Sequence, residues 1–346
     1  MITAEATMMK GKALFQTKDR HLIVYRKGTI VIYKDELPAT VISLPVQPWI
    51  RLLYKVRIIE RALHADIRWM IDISETEFLF LYSDSIYRLD LKTQSVDKDF
   101  SGFRGRPFSV IRIGECIVFG DYGGNEKREP VNIYIRENGK WRVAYSFPKG
   151  TIRHIHNIIR KENTLFILTG DEDSESGIWT SDLDFKSVKR VYTGSQQYRC
   201  CQLIADSTKS GWYATDAPSE QNWIYHFNEH MINRVYALPG TVIYGTRFNN
   251  MLIFSTTVEP DAHAKNKMEY WLTNKPGKGI TANETKVYLL KDGHLTEVAS
   301  YYHDKKPLRL FQYATVYFSN VIEGVAFFTP TSVKHYDNHI MKYRLQ

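Results

Sequence analysis

The chain has 346 residues, 43% of them hydrophobic and 24% charged, without a low-complexity tract, so it is long enough to bury a large core. Its net charge of +8 comes from scattered Lys and Arg rather than a run or one helix face, which argues against nucleic acid as the partner. No window approaches about 18 uncharged apolar residues, which excludes a membrane-spanning helix.

Residues 1–16 are mixed and carry Glu5, Lys10 and Lys12, unlike a secretory signal. Runs of β-branched and aromatic residues then recur between Gly, Asn and Asp, at 22–25, 29–33, 78–82, 116–119, 131–135, 165–169, 211–214, 252–255 and 325–328. Residues 50–65 read as a strand followed by a connection, since no stretch of about 12 residues holds a 3.6-residue apolar period. The three cysteines, Cys116, Cys200 and Cys201, make no disulfide framework because two are adjacent; buried thiols and a cytoplasmic location are expected.

The runs repeat. Segments 117–121, 166–171, 212–216, 253–257 and 326–330 align as one strand type, and the first three are each followed by an Ile-aromatic pair (Ile133-Tyr134, Ile178-Trp179, Ile224-Tyr225) and a closing strand. Asp121, Asp171 and Asp216 end the aligned strands about 45–50 residues apart, the size of a four-stranded blade. The fold expected is all-β: a single β-propeller domain over 1–346, with seven blades at 12–48, 60–99, 107–148, 154–194, 199–238, 243–299 and 308–346. The first and sixth are irregular, and a pair of β-sandwiches is the alternative. Asn138-Gly139 and Asp292-Gly293 supply positive φ for tight outer turns.

The Ile-aromatic strand and its turn resemble the bacterial neuraminidase repeat, or Asp-box, of sialidase-like propellers. Residues 133–141 keep Gly139 and Trp141 but have Arg136 for Ser and Asn138 for Asp. Residues 178–184 keep Ser181 and Asp182 at shifted spacing, and 287–293 keep only Asp292-Gly293. The resemblance implies the fold, since such turns are structural. Segments 120–122, 153–156, 169–171 and 197–199 also resemble uncharacterised bacterial propellers. Arg106-Pro107 resembles the sialidase Arg-x-Pro motif, but it opens the third blade rather than the first, so a sialidase proper is not expected.

In a propeller the starts of the innermost strands converge on one funnel. Here those starts carry Arg104, Arg106, Arg153, His154, His156, Arg199, Arg247 and Arg309. Arginine forks suit carboxylate, sulfate or phosphate, and neighbouring acids neutralise such a ring equally well. His154 and His156 stand two apart on a strand and so share a face, with Arg153 on the other. They read as an acid/base or ligand-contacting pair; a metal would need Asp171 or Gln197 as a third ligand. Propeller-type polysaccharide lyases resemble this arrangement in using channel histidines, an analogy only.

The candidate catalytic groups are therefore His154, His156, Asp171 and Asp121. The candidate anion or sugar contacts are Arg106, Arg153, Arg199, Arg247, Asp216, Tyr122 and Gln197, with Tyr198, Trp223 and Tyr270 as further stacking platforms. No P-loop, dinucleotide turn, Gly-x-Ser-x-Gly elbow, CxxC pair or zinc-protease helix occurs, which removes kinase, dehydrogenase and α/β-hydrolase readings, and no cofactor is named. The expected function is a carbohydrate-active propeller that takes an anionic oligo- or polysaccharide, of lyase or glycoside hydrolase type. A non-catalytic glycan- or protein-binding propeller is the alternative.

Overall fold

A computed structural model of the chain describes residues 4–261 and 266–345. Its strands form seven four-stranded antiparallel sheets, the blades of a β-propeller. Blade one is built from Lys12–Gln16, Leu22–Arg26, Thr29–Lys34 and Leu37–Ser43. Blade two spans 67–101, blade three 111–147, blade four 154–193, blade five 200–238, blade six 241–302 and blade seven 315–344. Blade one, expected to be irregular, is a four-stranded meander with register shifts at Leu14 and between Ile32 and Tyr33; blade six carries a long insertion between Met251–Thr257 and Glu284–Lys291.

The chain divides into two compact units, one of Met1–Asp66, Pro218–Trp223 and Tyr236–Gln346 and one of Ile67–Ala217 and Ile224–Val235. In the first unit, the fourth strand of blade seven is Glu5–Lys10, which pairs antiparallel with His339–Arg344, Glu5 opposite Lys342 and Lys10 opposite His339. This strand escaped the sequence reading because Met9 alone is buried in it, so it shows no alternation.

A correction concerns residues 50–65. They form two short helices, α1 (Pro48–Leu53) and α2 (Arg57–Ala62), not a strand and a connection. Pro48 suits the first helical turn, where its missing N–H is not needed. The apolar pattern misleads here because Trp49, Leu52, Val56 and Leu63 face solvent while Glu60 and Arg61 are buried. Arg61 is held by Asp304 at 2.5 Å and by the Phe311 carbonyl at 2.7 Å.

In the second unit, each central strand is apolar on both faces and serves two layers. Ile117 and Phe119 join Trp69, Leu79, Leu81 and Tyr134 between blades two and three. Val118 joins Ile133, Ile155, Ile158 and Trp179 between blades three and four. Gly120 permits this approach, since a Cβ there would lie 2.6 Å from Ile155 Cδ1. The outer turn of blade three has φ of 50° at Asn138 and 77° at Gly139, as the turn chemistry predicts.

The innermost strands share a second feature. In blades one, four and five each has one extra residue against its neighbour: Leu14, His156 and Cys201 respectively. In blade two, Arg68 and Trp69 oppose the single residue Leu81, and blade six shifts register between Val242 and Gly245. Such bulges turn a side chain out of the regular alternation.

Candidate functional site

The site lies within the second unit and is assembled from the starts of innermost strands and the ends of second strands. In blade three, Gly105 forms a parallel bridge with Tyr122, and the Arg106 amide donates to the Tyr122 carbonyl at 2.9 Å. Gly105 has φ of 67°, and a Cβ on it would lie 1.8 Å from that carbonyl oxygen, so only glycine fits. The bridge fixes the Tyr122 ring 3.8 Å from the Phe108 centroid and 4.2 Å from that of His154. Burial pushes the Tyr122 phenol well above its usual range, and the charge on Asp171 adds to this.

Asp121 takes a different role from the one expected. Its Oδ1 accepts from the Arg104 amide at 2.7 Å and its Oδ2 from the Asn132 amide at 2.9 Å. Its carbonyl accepts from the Ile155 amide, so it fastens blade three to blade four. Burial raises its carboxyl above the usual value, against those amide bonds.

Blade four supplies the centre. His154 and His156 stand at the start of the innermost strand, and the bulge at His156 brings the two Nε2 atoms to 3.0 Å. Each imidazole is oriented from behind, Nδ1 of His154 by the Gly123 carbonyl at 3.0 Å and Nδ1 of His156 by the Cys200 carbonyl at 3.2 Å. Carbonyl oxygens only accept, so each Nδ1 carries a proton, and Nε2 is the atom each ring turns to the other and to Asp171. Burial lowers His156 to about 4, so it is neutral at pH 7.

Asp171 follows the second strand and faces both rings, with Oδ1 3.5 Å from each Nε2. Arg199 Nη2 lies 3.1 Å from the same oxygen, and Arg153 Nη1 3.2 Å from Oδ2. Burial alone would raise this carboxyl, but the imidazoles and Arg199 hold it far below the usual carboxylate range. Arg153 was expected on the opposite face; it precedes the strand, and its guanidinium turns back to Asp171 and to Glu126 at 3.0 Å. Gly170 makes room for the cluster, since a Cβ there would lie 3.0 Å from His156 Cε1 and 3.1 Å from Arg199 Cγ.

Blade five completes the arrangement. Asp216 ends its second strand, accepts from the Cys201 thiol at 3.4 Å and lies 3.6 Å from Arg199 Nε. Arg199 thus spans Asp171 and Asp216. Burial pushes the Cys201 thiol well above its usual value, which removes it as a thiolate nucleophile. The three cysteines form no disulfide.

Tyr122, Arg153, His154, His156, Asp171, Arg199 and Asp216 are therefore brought together, and Arg106 joins through its backbone. Arg247 is not at the start of its strand: it pairs with Leu252 at the hairpin end of blade six, in the other unit. Arg309, also there, lies over the Tyr270 ring and donates to the Asp261 and Tyr270 carbonyls. Gln197 lies against the Tyr213 hydroxyl, whereas its neighbour Gln196 donates to the Asp171 carbonyl at 2.8 Å and to Asp173 at 3.0 Å. Sequence reasoning also missed Arg68, which sits in the blade-two bulge with its guanidinium 4.1 Å from the Phe108 centroid. A bulge leaves no mark in the alternation until the ladder is known. In the cluster, Arg153 and Arg199 are met by Asp171, Asp216 and Glu126.

By sequence the chain matches no family description and no curated protein. By structure it is similar to many solved proteins. A chain of the Mitotic Checkpoint Complex has a TM-score of 0.55 at 9% identity, over 99% of this chain and 94% of that one. A computationally designed protein has 0.54 at 9%, over 99% and 98%. An oligogalacturonate lyase from Vibrio parahaemolyticus has 0.53 at 10%, over 99% and 90%. Likeness at such identities establishes the shared architecture, and the chain is a β-propeller.

Proposed function

We propose that the chain takes an acidic, uronate-containing glycan at the Asp171 cluster and cleaves it as a lyase. The observation that carries this reading is the convergence of two guanidiniums and two imidazole Nε2 atoms on one carboxylate within 3.5 Å. Arg153 and Arg199 offer the planar forks that match a carboxylate. A neutral imidazole beside them is suited to removing the proton α to that carboxylate. In the elimination the C–H pair becomes the new C=C bond. The glycosidic oxygen leaves with the electrons of its bond and takes up the proton that the imidazole removed, while the arginines stabilise charge building on the carboxylate. His154 or His156 serves as base, Tyr122 packs behind His154, and Asp216 holds Arg199. That an oligogalacturonate lyase is among the similar structures shows that a propeller can host such chemistry.

A second reading, a non-catalytic glycan-binding propeller, is favoured by burial: His154 and His156 are 3% and 2% exposed, and ion pairs already engage Asp171. The test is incubation with a panel of uronate-containing glycans, following ultraviolet absorbance of the unsaturated product alongside calorimetric binding. Product that disappears in His156→Ala while binding persists supports the lyase reading. Binding without product from any glycan leaves recognition alone, and absence of both sinks the glycan reading.

A further inference from the structure

We propose that His154, His156 and Asp171 form a binding site for a divalent first-row transition ion, with an open coordination position toward Arg153 and Arg199. The argument starts from the backs of the rings. With each Nδ1 proton committed to a backbone carbonyl, Nε2 is the atom each ring has left for a ligand, and the two lie 3.0 Å apart and 3.5 Å from an anionic oxygen. Two ring nitrogens and a carboxylate oxygen approach so closely only around a cation, either a proton or a metal ion, and the three atoms are placed to ligate the latter. Carbonyl–imidazole–metal relays use this orientation, the outer hydrogen bond fixing the tautomer that binds the ion.

The size also fits. From the edges of 3.0, 3.5 and 3.5 Å, the point equidistant from the three atoms lies about 1.9 Å from each. An ion at the usual distance of about 2.1 Å from imidazole nitrogen and carboxylate oxygen therefore rests about 0.8 Å out of their plane, without movement of any ligand. Two nitrogens and one carboxylate suit Zn²⁺, Mn²⁺ or Co²⁺ and disfavour Mg²⁺ and Ca²⁺, which take oxygen ligands. Three protein ligands leave a position open, the pattern of a site that binds a further group.

Arg153 and Arg199 oppose a naked dication, and this specifies the next ligand. The carboxylate oxygens they flank are 3.2 and 3.1 Å from guanidinium nitrogens, so the charge balances best when the open position takes an anionic oxygen. The ion and the arginines would then grip one carboxylate or phosphate together. His156, Cys201 and Asp216 make a second group with ligand atoms within 4.8 Å. Its thiol keeps its proton and donates it to Asp216, which makes it the weaker host. The remaining rival is a proton shared between the two Nε2 atoms.

An ion on both Nε2 atoms occupies the lone pairs that the base role would use, so the two readings assign those atoms differently; the site is tested without any glycan, which keeps their outcomes distinguishable. The full chain is purified without chelator, its metal content measured by mass spectrometry, then stripped and titrated with Co²⁺ and with Zn²⁺ in competition. One ion per chain is expected, with ligand-field bands of a nitrogen and oxygen site and no thiolate-to-cobalt charge-transfer band. His154→Ala, His156→Ala and Asp171→Asn should each weaken binding by at least about 100-fold, and Cys201→Ser should leave it unchanged. Circular dichroism checks the fold, with His156→Gln as substitute should the alanine variant unfold. Wild-type protein that binds Co²⁺ no better than the His154→Ala/His156→Ala double variant overturns the proposal in favour of the shared proton. Loss of binding in Cys201→Ser overturns it in favour of the thiol group.

Discussion

Replacing Asp171 with Asn keeps the volume of the side chain and removes its charge, which isolates the carboxylate as the keystone of the cluster. Asp171 is 20% exposed, Arg199 15% and Arg153 27%, so the group is largely withdrawn from water. Removing one partner of a fully buried pair costs about 3–5 kcal/mol. Here the loss is smaller, because Arg199 keeps Asp216 and the Asp171 carbonyl, and Arg153 keeps Glu126. The expected loss is about 2–3 kcal/mol at pH 7, which lowers the urea midpoint by just under about 1 M for an m-value near 3 kcal/mol/M. Tryptophan fluorescence reports it, since Trp141 and Trp179 lie in blades three and four. The sign with pH follows from the direction of the shift. The folded carboxyl is held below its unfolded value, so its contribution is complete above about pH 4 and fades as pH falls further. The gap between wild type and Asp171→Asn should therefore be constant from pH 8 to pH 5 and close in more acidic solution. A midpoint unchanged within error at pH 7 would refute the reasoning.

Three further outcomes follow. His156 is lowered from 6.5 to about 4, so the unfolded chain takes up its proton first as pH falls; stability is complete above about 6.5 and declines by up to about 3 kcal/mol toward pH 4. His156→Gln should flatten that slope in urea titrations, and an unaltered slope would assign it to other groups. Gly105→Ala places a Cβ against the Tyr122 carbonyl at a left-handed φ, and should cost more than about 2 kcal/mol in thermal melts. A loss under about 0.5 kcal/mol would mean that the bridge yields easily. Arg61 is 2% exposed against Asp304 at 8%, so Arg61→Met leaves the carboxylate to Lys306 alone, 3.0 Å away and half exposed; a loss of about 2–3 kcal/mol is expected, relieved in part by the double change Arg61→Met/Asp304→Leu.

The seven blades were legible because their strands obey local rules: central strands are apolar on both faces, and turns such as Asn138-Gly139 carry the residues that positive φ demands. Glu5–Lys10 and α2 were not, because the pattern in each is set by distant partners. One exposes five of six residues at least in part, and the other buries Glu60 and Arg61 instead of its apolar residues. At the site, alignment of strand starts and ends found His154, His156, Asp171, Arg199 and Asp216. It could not distinguish Asp121, whose oxygens go to backbone amides, from Asp171, whose oxygens go to side chains. It misjudged Arg247 by taking the hairpin end of Thr241–Phe248 for the start. Gln196 and Gln197 differ by one position in a short 3₁₀ turn, too little for periodicity to separate.

The extra residue in the innermost strands has a consequence for how such a protein can change. A residue in the ladder is committed to one face, and altering its character disturbs two packed layers at once. The inserted residue stands outside that commitment, so its chemistry can be exchanged while every neighbour keeps its register. Leu14, His156 and Cys201 already fill this position in three blades with an alkyl group, an imidazole and a thiol. The scaffold thus separates what holds it together from what it presents, and new specificity can be written one blade at a time.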